Sequence, residues 1–120
     1  MKKQLLLVSF LAISYLGLSQ TTAIPDSNFE NYLETHNAAG GVVAVGDAAS
    51  MGDGTNGNGL VTTSKISSVT NLNVSGKTIS NLTGIEDFTA LVVLNCQNNS
   101  LTSLNVSKNL FLEQIRCFNN

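Results

Sequence analysis

The chain has 120 residues, of which 42% are hydrophobic and only 12% charged, a balance that suits one small globular or repeat domain and excludes a disordered tail. Six basic residues stand against eight acidic ones, so there is no basic footprint for nucleic acid. His36 is the single histidine, which excludes a multi-histidine metal site and leaves no Ser–His–Asp arrangement that spacing could support.

Residues 1–19 open with Lys2 and Lys3, continue with the apolar run Leu5 to Ile13, and end in small residues around Gly17 and Ser19. This is the layout of a secretory signal peptide, and it implies a secreted or cell-surface protein. A retained signal anchor is the rival reading. The run falls short of the roughly 20 residues needed to cross a bilayer, and no other segment approaches that length, so no stable membrane insertion is expected after signal removal. Without Lys2 and Lys3, four basic side chains face eight acidic ones, a formal net charge of −4.

Residues 20–59 are expected to form an N-terminal cap and a Gly-rich loop. Pro25 fixes φ, Ser27 with Glu30 fits a capping box, and Phe29 with Leu33 makes a one-sided apolar stripe, which predicts a short amphipathic helix over Pro25 to His36. Such a helix would cover the first rung of the array that follows, because an end strand otherwise presents an unpaired edge. His36 is expected as a solvated residue at the helix end. Residues 38–59 are glycine-rich and read as a mobile loop or a loosely packed part of the cap. Within it, Asp53 to Val61 resembles an EF-hand or dockerin calcium loop in its Asp, Asn and Gly content. The spacing fails: starting at Asp53 puts Gly57 at position 5 and Ser64 at position 12, where oxygen ligands and a carboxylate are needed. A flexible turn is preferred to a weak calcium site, and neither metal nor cofactor is expected.

From about residue 60 the sequence repeats itself. Leu91 to Asn99 superposes on Leu112 to Asn120 at a shift of 21, matching Leu91 with Leu112, Leu94 with Ile115, Cys96 with Cys117, and both asparagines, Asn98-Asn99 with Asn119-Asn120. A shift of 22 places Val69, Leu72, Val74, Ile79 and Leu82 under Leu91, Leu94, Cys96, Leu101 and Leu104. Apolar residues alternate with polar ones around Leu94 and Cys96, as in a strand with one buried face. Such a strand must stack on the next unit to shelter its leucines. Asn99 and Asn120 fall where the chain leaves the strand, and an amide there can bond unpaired turn groups. Lys77 stands at that place in the first unit, which marks the first rung as irregular.

The wording L-x-x-L-x-L/C-x-x-N-x-L resembles the leucine-rich-repeat signature, and Ile79 to Phe88 is similar to the repeats of internalin-type bacterial surface proteins. Ile24-Pro25-Asp26 and Asn28-Phe29 resemble the amino-terminal cap of secreted repeat proteins of this kind. The expected fold is a leucine-rich-repeat solenoid of short parallel strands in a right-handed coil, with a short N-terminal α-helical cap. About two and a half units occupy residues 60–120. Since such arrays usually need three or more units, the chain is expected to be a truncated product or the front piece of a longer protein.

Register puts Cys96 and Cys117 on adjacent rungs pointing into the core. Side chains stacked that way do not readily give a disulfide's geometry, so buried free thiols are preferred to a disulfide. The four sequons at Asn73, Asn81, Asn98 and Asn105 arise from an Asn- and Ser-rich repeat. The outward residues of the sheet form three columns: Asn71, Val93 and Gln114; Asn73, Asn95 and Arg116; Ser75, Gln97 and Phe118. This face is the candidate binding surface for a protein or glycan partner, with Arg116 and Phe118 as residue types favoured at hot spots. The sequence points to a non-enzymatic recognition or adhesion module. The alternative is a non-catalytic spacer or accessory region of a longer secreted enzyme.

Overall fold

The computed structural model describes residues 19–120, and the signal-peptide reading of 1–19 lies almost wholly outside them. The described chain is β-rich, with two small sheets and two helices. It begins with β1 (Thr21–Ala23), which pairs antiparallel with β2 (Leu60–Thr62) through Thr22 opposite Val61. Between them lies helix α1 (Ser27–Thr35). Its N-cap is Asp26, whose Oδ1 accepts from the Asn28 and Phe29 N–H groups at 3.0 Å. The expected capping box of Ser27 and Glu30 therefore does not form. A carboxylate already in place at the helix N-terminus satisfies the free amides, and Glu30 turns inward to a different set of donors.

Phe29, Tyr32 and Leu33 form the buried face of α1. The Phe29 ring stacks against Phe88 at 6.2 Å between centroids, and Asn28 Nδ2 donates to the Thr78 carbonyl at 2.9 Å. The helix thus packs on the return segment of the first repeat, while β2 and the short helix α2 (Thr63–Ile66) lead into the second sheet.

That sheet has three parallel strands, β3 (Asn71–Asn73), β4 (Val93–Asn95) and β5 (Gln114–Arg116). Leu72, Leu94 and Ile115 share one register line. After each strand comes a left-handed residue: Gly76 at φ 65°, Asn98 at 57° and Asn119 at 57°. Glycine and asparagine are the residues that enter this region at least cost, so the first Asn of each Asn-Asn pair makes the turn. A 3-10 turn at Ile85–Asp87 brings the chain back toward β4.

Burial is complete on the first two rungs and fails on the third. Leu72, Val74, Leu91, Leu94 and Cys96 are 0–1% exposed, whereas Ile115 is 43% exposed. Leu101 is buried, and Leu104 and Leu112 are partly buried against the same core. The expectation that both thiols lie in the core holds for Cys96 and not for Cys117, which is exposed; both are free. β5 has a neighbour on one side only, so its inward residues lack the next rung that would cover them.

Candidate functional site

The sheet face is built by the register itself. Asn71, Val93 and Gln114 lie opposite one another, as do Asn73, Asn95 and Arg116. Ser75, Gln97 and Phe118 continue the pattern, since the Gly76 N–H donates to the Gln97 carbonyl and the Asn98 N–H to the Phe118 carbonyl, each at 3.1 Å. Exposure is least on the middle rung: Val93, Asn95 and Gln97 are half-buried, while Asn71 and Asn73 on one side and Gln114, Arg116 and Phe118 on the other are exposed. Asn73 Oδ1 accepts from the Ser75 N–H at 3.1 Å and Asn95 Oδ1 from the Gln97 N–H at 3.3 Å. Those amides therefore offer mainly NH₂ donors outward. Arg116 has no acceptor to do the same, so its guanidinium stands free of this local turn.

Below the face runs an asparagine ladder. Asn99 Nδ2 donates to the carbonyls of Val74 (2.9 Å) and Cys96 (3.0 Å), and its Oδ1 accepts from the Lys77 and Ile79 N–H groups at 3.0 Å. Asn120 repeats this one rung on, donating to Cys96 and Cys117 carbonyls and accepting from the Leu101 N–H. Burial raises the Cys96 thiol above its ordinary value, and neighbouring Cys117 adds to the shift.

Of the two expectations for the glycine-rich segment, a mobile loop or a part of the cap, its contacts with α1 favour the second. Glu30 and Glu34 are 2% and 0% exposed. Glu30 Oε1 accepts from the Gly57, Asn58 and Gly59 N–H groups, each at 2.9 Å. Glu34 accepts from the Asp53 N–H at 2.6 Å and the Gly54 N–H at 3.0 Å. Buried carboxylates need such donors, and consecutive loop amides supply them. The oxygens of the calcium-like stretch are engaged too, Asp53 Oδ1 by the Thr55 N–H and Oδ2 by Asn58 Nδ2. Partial burial raises the Asp53 carboxyl, but these donors outweigh it and hold the group below its ordinary value.

His36 stacks on Tyr32 at 4.0 Å between ring centroids, and its Nδ1 lies 2.9 Å from the Tyr32 carbonyl. It is half-buried at the helix C-cap, more enclosed than a solvated end residue. Lys77 Nζ sits over the Tyr32 ring, 5.7 Å from its centroid, so the irregular first rung is used as a contact with the cap.

Two groups escaped the sequence reading. Asp26 joins the cap to the first repeat, because its Oδ2 accepts from the Ser80 N–H (2.9 Å), Ser80 Oγ (3.0 Å) and the Asn81 N–H (3.1 Å). Glu30 and Glu34 flank the apolar stripe at i, i+4, a signal available in the sequence. Asn109, 4% exposed, donates to the Ile85 and Phe88 carbonyls; the sequence marks it, since Leu104 to Asn109 repeats the wording of Leu94 to Asn99 ten residues on.

No protein-family model and no curated protein sequence matches this chain. Among solved structures, the functional domain of InlJ from Listeria monocytogenes, described as including a cysteine ladder, is similar over 78% of this chain at 24% identity and a TM-score of 0.54. The matched stretch is 18% of that chain, and the likeness is one of fold. Among the described residues, no helix is long and apolar enough to cross a membrane.

Proposed function

We propose that this chain forms an exported leucine-rich-repeat solenoid that recognises a protein or glycan through its sheet face and performs no chemistry of its own. The observation that carries the reading is the face itself: three columns in strict register, rich in outward NH₂ donors and ending in exposed Arg116 and Phe118, the latter 58% exposed. Stacked units turn such a face into an extended concave surface. The 1–19 segment supplies export, 20–59 the cap, and 60–120 the repeats. Cys96 and Cys117, in successive rungs, would be two steps of a ladder like the one named for the InlJ domain. A glycan array and a display library of surface-protein fragments, each probed with this chain and with an Arg116→Ser/Phe118→Ser variant, test the proposal. Hits that the variant loses at least tenfold support it. Hits that the variant retains unchanged, or no hits with either, refute it.

A further inference from the structure

The first strand of the parallel sheet has an open side with an unusual neighbour. Backbone groups in a parallel ladder point alternately to either side. The Thr70 carbonyl accepts from the Val93 N–H, and the Val74 and Gly76 N–H groups donate to the Asn95 and Gln97 carbonyls, so residues 70, 72, 74 and 76 face β4. Asn71 and Asn73 therefore turn their N–H and C=O groups the other way, and no hydrogen bond to those backbone groups is present among the described residues.

On that side lies a cavity of about 300 Å³, at the low end of ligand-site volumes. One wall is Asn71–Asn73, and the other is the Asn37–Gly40 loop with Tyr32 and Met51 between. The loop does not close against the strand because it is committed elsewhere. The Asn37 N–H donates to the Gly41 carbonyl, Asn37 Oδ1 accepts from the Ala39 and Gly41 N–H groups, and Gly40 takes the left-handed φ of 84° that completes the turn. The cap thus leaves a slot beside the edge it would otherwise cover.

We infer that this slot is a docking site for an extended peptide, which adds a fourth strand beside β3 and is held between that edge and the Asn37–Gly40 loop. The chemistry selects this occupant. Donors and acceptors alternating at the two-residue repeat of Asn71 and Asn73 match another extended main chain, which presents the complementary series at the same spacing. No lining residue carries a formal charge, which suits a neutral main chain and gives no purchase to an anion or cation. The site does not rest on the sheet-face reading, since edge pairing uses the backbone groups of Asn71 and Asn73, whereas the face is read by outward side chains, with Arg116 and Phe118 at the other end of the stack.

The test is amide chemical-shift titration of the ¹⁵N-labelled full chain with acetyl-Thr-Val-Thr-Val-Thr-amide, the same peptide N-methylated at every internal amide, and a neutral tetrasaccharide. The plain peptide is expected to shift the amides of Asn71, Asn73 and Gly40 together. N-methylation, which removes the donors, should weaken binding at least about tenfold, the value of one net hydrogen bond. Ala39→Trp, which fills the slot, should abolish the shifts while the melt of the chain is retained. The Arg116→Ser/Phe118→Ser variant should bind the peptide as the parent does, separating this site from the face. Equal binding of the methylated peptide, identical shifts from the tetrasaccharide, or no shifts at millimolar peptide would overturn the inference.

Discussion

Asp26→Ala should be the most informative single change, because one carboxylate holds two structural units together. Oδ1 caps α1 through Asn28 and Phe29, and Oδ2 receives Ser80 and Asn81. Loss of an N-cap side chain costs about 1 kcal/mol. The Ser80 and Asn81 amides lose a charged acceptor, but the contacts are solvent-exposed, so water replaces part of it and about 1–2 kcal/mol is a fair charge for that half. A total of about 2–3 kcal/mol corresponds to a fall in Tm of about 10–20 °C for a domain of this size. Asp26→Asn retains Oδ1 for the cap and places an NH₂ group before two N–H donors, so it should lose the Ser80 half alone. The pH dependence has a definite sign. Partial burial raises the Asp26 carboxyl, but the Ser80, Phe29 and Asn81 donors outweigh it and the group titrates below the ordinary 3.8. Its contribution is therefore complete above the unfolded carboxylate value and disappears as pH falls through the lower folded value. Urea melts followed by circular dichroism should show a parent-to-alanine gap that is constant from neutral pH to about 5 and narrows below about 4. A gap under about 0.5 kcal/mol, or one that does not change down to pH 2.5, would refute the bridging role assigned to Asp26.

Gly84→Ala should destabilise by about 3 kcal/mol or more, since Gly84 sits at φ 104° and a Cβ there would overlap the Ile24 side chain and lie 2.8 Å from the Ala23 carbonyl; a thermal melt within a few degrees of the parent would contradict this. Asn99→Ala strips partners from two N–H and two C=O groups between adjoining rungs and should cost about 2–3 kcal/mol. Asn120→Ala, with partners that water can reach, should cost about half as much in the same denaturation assay. Thiol labelling with a chromogenic disulfide should modify Cys117 at least about tenfold faster than Cys96, whose burial both excludes the reagent and raises the thiol's pKa. Equal rates would show that the last rung is covered in solution.

What the sequence discloses here depends on whether the signal is repeated or occurs once. The positions that recur at 21 or 22 residues carry their own alignment, so the register of Leu72, Leu94 and Ile115, and with it the three outward columns, can be read before any coordinates. The same evidence cannot report burial, because burial belongs to the neighbour: Cys96 and Cys117 are equivalent in wording and opposite in exposure. The cap has no second copy to compare with. Its helix is legible from Phe29 and Leu33, yet the second task of the N-cap Asp26, the bridge from its Oδ2 to Ser80 54 residues away, is encoded by no local pattern.

The glycine-rich loop shows the same limit most sharply. Seen alone, its composition argues for mobility, and what reverses the argument is the placement of two carboxylates on α1 that no water can reach. A buried Glu30 without donors would cost several kcal/mol, and a chain rich in glycine can bring three successive N–H groups to one oxygen because no Cβ stands in the way. The glycines of this segment are therefore what allows the cap to satisfy its own acids.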